Sequence, residues 1–522
     1  MIFSLLIALL LLQGQGERGN RQQQQTQQGP QRPASPATPS GADPQRPAAP
    51  ERPEEPPSVT KHEIKIGERV LRYTSTTGMM PIKTREGVTD ANIFFMAYTV
   101  DGAGPAGQRP LMFSFNGGPG SSSVWLHLGA LGPKRVQMLE DGGMPAPPYQ
   151  LVPNDQTWLD QTDLVFIDPV GTGFSRASRQ ETASRFFSVN GDIESVGDFI
   201  RMYLTRYERW TSPLFLVGES YGTTRASGLA GYLIGRGIAF NGIALISTVM
   251  NFQTLRFAPG NDLPYALILP SYTATAWYHK KLPADLQSRP LKQVLAEAEK
   301  WVINEYSTAL GKGDRLTPQE RQAIVDKMAR YTGLDRKYIE QCNLRVELSR
   351  FNKELLRDQN RTTGRLDSRF KGIDSSAASE GPDFDASMTA IRPPYTATFN
   401  QYVRSELGYK TDLEYFILGG GIGQWSYGPN QGYADTSTAL RTAFQQNPYL
   451  KVFIASGYYD MATPYFATEY TIDHMGLDPA LRRNIRTAYY DAGHMMYIDL
   501  KSLAQLKRDI SGFIQDASNG RP

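Results

Sequence analysis

Residues Pro213–Gly222 read PLFLVGESYG, and a helical stretch, Thr223–Ile234, follows directly. The apolar run Leu214–Val217 has the length and composition of a strand buried on both faces. It ends in Gly218-Glu219-Ser220-Tyr221-Gly222. Strand, Gly-x-Ser-x-Gly and helix in that order are the context a nucleophile elbow requires. The serine is forced into a tight strand-to-helix turn, and the flanking glycines let neighbouring backbone approach. Its hydroxyl then projects above the carboxyl edge of the sheet. The pentapeptide alone recurs by chance, so the strand before it and the helix after it carry the reading.

Working outward, similar short apolar runs recur at Pro110–Phe115, Leu164–Asp168, Ile243–Ser247, Leu450–Ser456 and Ile485–Tyr490. Such runs suit strands of a mostly parallel sheet with both faces covered. Two further strands are expected upstream, at His62–Arg72 and Ala91–Val100, where β-branched and aromatic residues lie between turn residues. Helical segments such as Ile193–Tyr207 and Thr223–Ile234 alternate with the runs, which predicts an α/β architecture. Residues 251–394 interrupt the pattern. Leu291–Leu310, Thr317–Tyr331 and Tyr338–Arg357 read as helices, the second opened by Thr317-Pro318-Gln319-Glu320 in capping-box form. This block is expected to be a helical cap inserted between core segments 59–250 and 395–522.

The first 58 residues differ. Ile2–Leu12 is an apolar run of eleven, too short for the roughly 20 residues of a membrane-spanning helix. It fits a secretory signal peptide over residues 1–16, with no span left after cleavage. Residues 17–58 are rich in Pro and Gln and contain no Leu, Ile, Val, Met or aromatic residue. They cannot offset chain entropy by burial, so an extended spacer is expected. Secretion or a periplasmic location follows.

Over all 522 residues, hydrophobic residues make up 40% and aromatics 11%, which excludes a wholly disordered chain. Lys and Arg number 55 against 52 Asp and Glu. This near-neutral balance gives no reason to expect nucleic acid as a partner. One cysteine, Cys342, excludes an intramolecular disulfide and any Cys-based metal site, and five histidines without a His-x-x-x-His pair argue against a His-rich one. Chemistry without metal or cofactor is expected.

Ser220 needs a base and a group to orient it. Three histidines lie downstream. His494 follows the Ile485–Tyr490 run, His279 lies in the inserted block, and His474 has no strand before it. For the acid, Asp460 follows the Leu450–Ser456 run in Gly457-Tyr458-Tyr459-Asp460, with Asp473, Asp478 and Asp491 as alternatives. Its position after a strand suits a residue that holds an imidazole tautomer. Asn116-Gly117-Gly118-Pro119-Gly120 follows PLMFSF and frees backbone N–H groups for a developing oxyanion. The amides of Gly118 and Tyr221 are the expected donors. The turn has neither Walker spacing nor Gly-x-Gly-x-x-Gly, so a phosphate loop is disfavoured.

Taken together, FNGGPGSSS, DLVFIDPVGTGFS (Asp163–Ser175), GESYG, the SGYYD turn and GHM resemble the serine carboxypeptidase family of α/β hydrolases. The resemblance spans roughly 60–250 and 400–515. It implies release of C-terminal residues from peptides through an acyl-enzyme on Ser220, with His494 as base and Asp460 orienting it. It also implies Asn116 and Glu219 as ligands of the substrate's terminal carboxylate, with Met495 of the GHM turn placed in the substrate site. The family's Trp at this subsite is Ser114 here, its second Glu falls on Ala130, and its usual Cys after the glycine turn is Ser121. Arg225, or a residue of the inserted cap, is a candidate to compensate for the missing carboxyl. Ser114 and Ala130 also keep open an esterase or acyltransferase on the same triad. A non-catalytic binding protein would be expected to lack one of the three triad positions, and all are filled.

Overall fold

The computed structural model describes residues 54–428 and 432–519. The leading apolar run and residues 17–53 of the Pro/Gln-rich stretch lie outside the described residues. The first strand begins at Ser58, where that stretch was expected to end.

The central sheet is built from β1 (Ser58–Ile66), β2 (Arg69–Lys83), β3 (Thr89–Val100), β4 (Leu111–Phe115), β5 (Asp163–Ile167), β6 (Leu214–Ser220), β7 (Gly242–Thr248), β8 (Lys451–Gly457) and β9 (Ile485–Tyr490). Their spatial order is β1-β2-β3-β5-β4-β6-β7-β8-β9, with a two-residue strand, Arg176–Ala177, paired to β3. From β5 to β9 every pairing is parallel, and the three N-terminal strands add antiparallel at one edge. The fold is that of an α/β hydrolase.

Side chains alternate between two cores. In β4, Met112 packs into one, while Leu111, Phe113 and Phe115 pack into the other. Phe215 and Val217 of β6 join Met112, whereas Leu214 and Leu216 face the opposite way. Burial on both faces is why these runs look continuously apolar in the sequence. The helices α1 (Val189–Arg206) and α2 (Tyr221–Ile234) cover the second core. The C-terminal helix Leu500–Ser518 covers the first with Leu503, Leu506, Ile510, Phe513 and Ile514. Each such side chain contributes about 1.5–3 kcal/mol on leaving water.

The expected single strand His62–Arg72 is a hairpin. Gly67, at φ +57°, turns the chain back between β1 and β2 and sets Ile64 opposite Leu71. The inserted region carries a core of its own, including Tyr265, Trp301, Tyr306, Val325 and Phe351, with Met461 joining from beyond β8. Its helix Pro318–Thr332 opens with the anticipated capping box: Thr317 Oγ1 accepts from the Glu320 amide and the Glu320 carboxylate from the Thr317 amide. Tyr338–Arg357 is not one helix but two, Arg336–Gln341 and Leu348–Glu354. Asn343 and Leu344 take left-handed conformations between them and send Leu344 and Val346 into the inserted region's core. The boundary at residue 394 falls within a helix, Ala386–Ser405.

Among the described residues, no helix is long and apolar enough to cross a membrane.

Candidate active site

Ser220 ends β6 and starts α2 with φ +59° and ψ −132°, a conformation non-glycine residues rarely adopt. The strand and helix therefore fix the serine by imposing backbone strain on it, which costs on the order of 1–3 kcal/mol. The turn is tightly enclosed. A Cβ at Gly222 would lie 2.9 Å from the Phe115 carbonyl oxygen, and one at Gly117 would lie 2.4 Å from the Tyr221 amide nitrogen. Glycine at both positions lets the turn after β4 and the turn after β6 meet backbone to backbone. The Tyr221 amide is the first of α2, and the first N–H groups of a helix have no partner within it. Gly118, at φ +102°, lies on the facing turn.

Asp460 lies beyond the end of β8 and His494 beyond the end of β9, on the sheet's carboxyl edge with Ser220. His494 Nδ1 is 2.7 Å from Asp460 Oδ2, and both side chains are buried. Asp460 Oδ1 accepts from the Ala462 and Thr463 amides at 2.8 and 2.9 Å, and Oδ2 accepts from Thr463 Oγ1 at 2.6 Å. A carboxylate so placed can only accept, which puts the imidazole proton on Nδ1 and leaves Nε2 as the basic nitrogen. Burial disfavours the imidazolium, but Asp460, together with Glu219, outweighs it and raises the His494 pKa above its ordinary value. The Ser247 hydroxyl donates to the His494 carbonyl at 2.5 Å and ties this loop to β7 beside the elbow. By contrast His279 bonds the Ser368 carbonyl and His474 the Tyr470 carbonyl.

Glu219 is buried one residue before the serine. Its Oε1 accepts from Asn116 Nδ2 at 2.9 Å, while Asn116 Oδ1 accepts from the Leu126 amide at 3.0 Å. Burial pushes the Glu219 carboxyl up to about 7, against the lowering pull of His494, Tyr497 and Asn116. The Tyr497 hydroxyl is close enough to Glu219 to exert that pull, although neither it nor Glu219 Oε2 has a hydrogen-bond partner of good geometry. Burial, helped by a smaller contribution from the Asp460 carboxylate, thus keeps this carboxyl neutral in mild acid.

The positions that depart from the family pattern are filled in other ways. Ala130 lies fully buried in the turn of helix His127–Leu131, and its neighbour Gly129 is pressed by the Tyr497 ring and the Tyr395 hydroxyl. Ser114 Oγ is buried and unpartnered. Ser121 Oγ accepts from the Trp125 indole at 2.8 Å. Met495 packs into the core beneath the C-terminal helix. Arg225 is not available to a substrate carboxylate: its side chain is 1% exposed and spans from Asp192 to the Asn116 carbonyl.

Sequence reasoning missed Tyr497, Tyr395 and Thr463, none of which lies in a recognisable motif. It quoted Asp168 only as part of a motif; the carboxylate accepts from the Ser123 amide and hydroxyl, both at 2.8 Å, and so anchors the segment after the glycine turn.

A family model described as serine carboxypeptidase matches residues 68–517. The chain is 31% identical over 117 residues to serine carboxypeptidase-like 5 of Arabidopsis thaliana, covering 22% of this chain and 25% of the relative. It is 33% identical over 155 residues to the pheromone-processing carboxypeptidase KEX1 of Saccharomyces cerevisiae, covering 28% of this chain and 20% of the relative. The aligned segments thus span a quarter or less of these curated relatives. The crystal structure of a prohormone-processing carboxypeptidase from S. cerevisiae superposes with a TM-score of 0.50 at 19% identity, over 85% of this chain and 91% of that one. That likeness bears on the fold alone.

Proposed function

This chain belongs to the serine carboxypeptidase family, and from that premise we propose that it is a serine-type carboxypeptidase releasing C-terminal residues from peptides. Ser220 Oγ attacks the last peptide carbonyl as His494 Nε2 takes its proton. His494 then returns the proton to the leaving amine, and water resolves the acyl-enzyme by the same route. Asp460 holds the imidazole, and the Gly118 and Tyr221 amides receive the oxyanion.

What supports this reading is the 2.7 Å His494–Asp460 pair and a strained serine, both at the sheet's carboxyl edge, with the bonded pair Glu219–Asn116 built on the residue before that serine. A neutral Glu219 and the second hydrogen of Asn116 Nδ2 can each donate to a terminal carboxylate. Inserted residues 251–394 act as the cap over the site. The apolar run Ile2–Leu12 supports an exported enzyme.

Ser114 and Ala130 favour a second reading, an esterase or acyltransferase on the same triad, because the family's Trp and second Glu are absent. Both readings require a reactive Ser220. Labelling by a fluorophosphonate, mapped to Ser220 and abolished by Ser220→Ala, is the expected result. A protein left unlabelled under conditions that label a known serine hydrolase would sink both.

A further inference from the structure

Between α2, which begins after the nucleophile, and α1 lies a buried ion pair that the reaction scheme does not use. Tyr221 and Arg225 are four residues apart and so share one face of α2. Both reach Asp192 on the neighbouring helix α1: Arg225 Nε donates to Asp192 Oδ2 at 2.8 Å, and the Tyr221 hydroxyl donates to the same oxygen at 3.1 Å. The other arm of the guanidinium, Nη1, donates to the Asn116 carbonyl oxygen at 2.7 Å. The guanidinium also lies 5.0 Å from the Phe115 ring centre and 5.3 Å from that of Tyr221.

These contacts join the two turns that carry the oxyanion donors. Asn116 is the last residue before Gly117-Gly118, and Tyr221 supplies the other amide. With glycine at 117 and 222 the two turns meet backbone to backbone, and the side chains that bond across them, Asn116 to Glu219 and Arg225 to the Asn116 carbonyl, are the bridges that fix their spacing. Arg225 is the bridge outside the reaction scheme. It is rooted in the helix of one turn and bonded to the carbonyl that begins the other.

We propose that Arg225, held by Asp192, is a positioning residue that sets the spacing of the Gly118 and Tyr221 amides and so tunes stabilisation of the oxyanion. The proposal rests on the assignment of those amides made above. The planar fork of arginine suits the task, because one arm meets a carboxylate while another meets a carbonyl. Lysine offers a single point of attachment. Displacing a reacting group by about 1 Å can cost roughly 10²-fold in rate.

Arg225→Lys keeps the charge opposite Asp192 but gives up the two-armed span. Asp192→Leu/Arg225→Met removes the pair together, leaving no uncompensated buried charge. Both are compared with the parent for thermal unfolding, kcat, KM, inhibition by a peptidyl boronic acid that forms a tetrahedral adduct with Ser220, and affinity for the product amino acid. The expected result for Arg225→Lys is a cooperatively folded protein whose kcat falls roughly 10- to 100-fold with KM changed less than about threefold. Boronate affinity falls in step with kcat, and product affinity is unchanged.

A folded Arg225→Lys enzyme with kcat and boronate affinity within threefold of the parent overturns the proposal. So does a parallel loss of boronate and product affinity, which would signify general deformation. The double variant, where it folds, must lose at least as much kcat as Arg225→Lys; a smaller loss also overturns the proposal. Ser220→Ala run alongside separates the two claims, because turnover surviving in that variant removes the assigned nucleophile instead.

Discussion

Asp460 and His494 are joined by a 2.7 Å contact between Oδ2 and Nδ1, inside a loop where the same carboxylate also receives two backbone amides and the Thr463 hydroxyl. Four donors converge on one side chain. The imidazole is therefore held in one tautomer and one orientation by a carboxylate that is itself fixed. Asp460→Asn can present an amide N–H to Nδ1 and favour the opposite tautomer. The expected loss in kcat is on the order of 10⁴-fold, with little change in KM and a retained fold. Steady-state kinetics with a thermal-unfolding control checks this, and a loss below tenfold argues against the assignment.

The pH dependence follows from two groups. His494 must be neutral to act as base, and its pKa is raised above 6.5, so activity climbs as pH passes upward through that raised value. Glu219 must be protonated to donate to a terminal carboxylate, and its pKa of about 7 means that this ability is present below 7 and lost above it. Peptides with a free C-terminus should therefore give a bell-shaped profile with its alkaline limb near 7. Neutral esters should show only the ascending limb. In Glu219→Gln the side-chain amide can still donate, so the alkaline limb should disappear for free-acid peptides. A limb that persists near 7 in that variant belongs to another group.

Tyr497 lowers the Glu219 pKa. Tyr497→Phe removes that pull, so the Glu219 pKa rises and the alkaline limb moves to higher pH. Profiles of kcat/KM for free-acid peptides measure this directly. Movement toward acid would mean that Tyr497 acts on Glu219 with the opposite sign.

Strain at Ser220 is legible in stability. At φ +59° and ψ −132°, glycine is tolerated far better than serine. Ser220→Gly should be inactive and yet more stable than the parent by ~1 kcal/mol, the low end of the cost of such a conformation. Denaturant unfolding reads the difference. A destabilised Ser220→Gly would show that the serine side chain contributes more to folding than its backbone costs.

Much of this was visible in the sequence because the features are local. The parallel strands announce themselves as short apolar runs, being buried on both faces. The elbow is a strand, five residues and a helix, and Asp460 and His494 each follow a strand. The Gly67 turn was hidden because β1 and β2 share one composition on either side of it. The break at Asn343 and Leu344 was hidden because a lone Asn is only a weak turn signal and Leu rarely adopts the left-handed conformation. The Arg225–Asp192–Asn116 bridge was illegible for a different reason. Its three members come from two helices and the turn after a strand, spread over 109 residues from Asn116 to Arg225, and only the fold brings them together. Tyr497 likewise meets Glu219 through packing, and nothing in GHMMY marks it.

The most direct test of the central claim compares a blocked dipeptide bearing a free C-terminus with its C-terminal amide, between pH 5 and 9, beside Ser220→Ala. The account predicts release of the last residue from the free acid, with the amide cleaved poorly at every pH and Ser220→Ala inert toward both. Equal cleavage of acid and amide, or cleavage of neither with Ser220-dependent turnover of small esters, would contradict it.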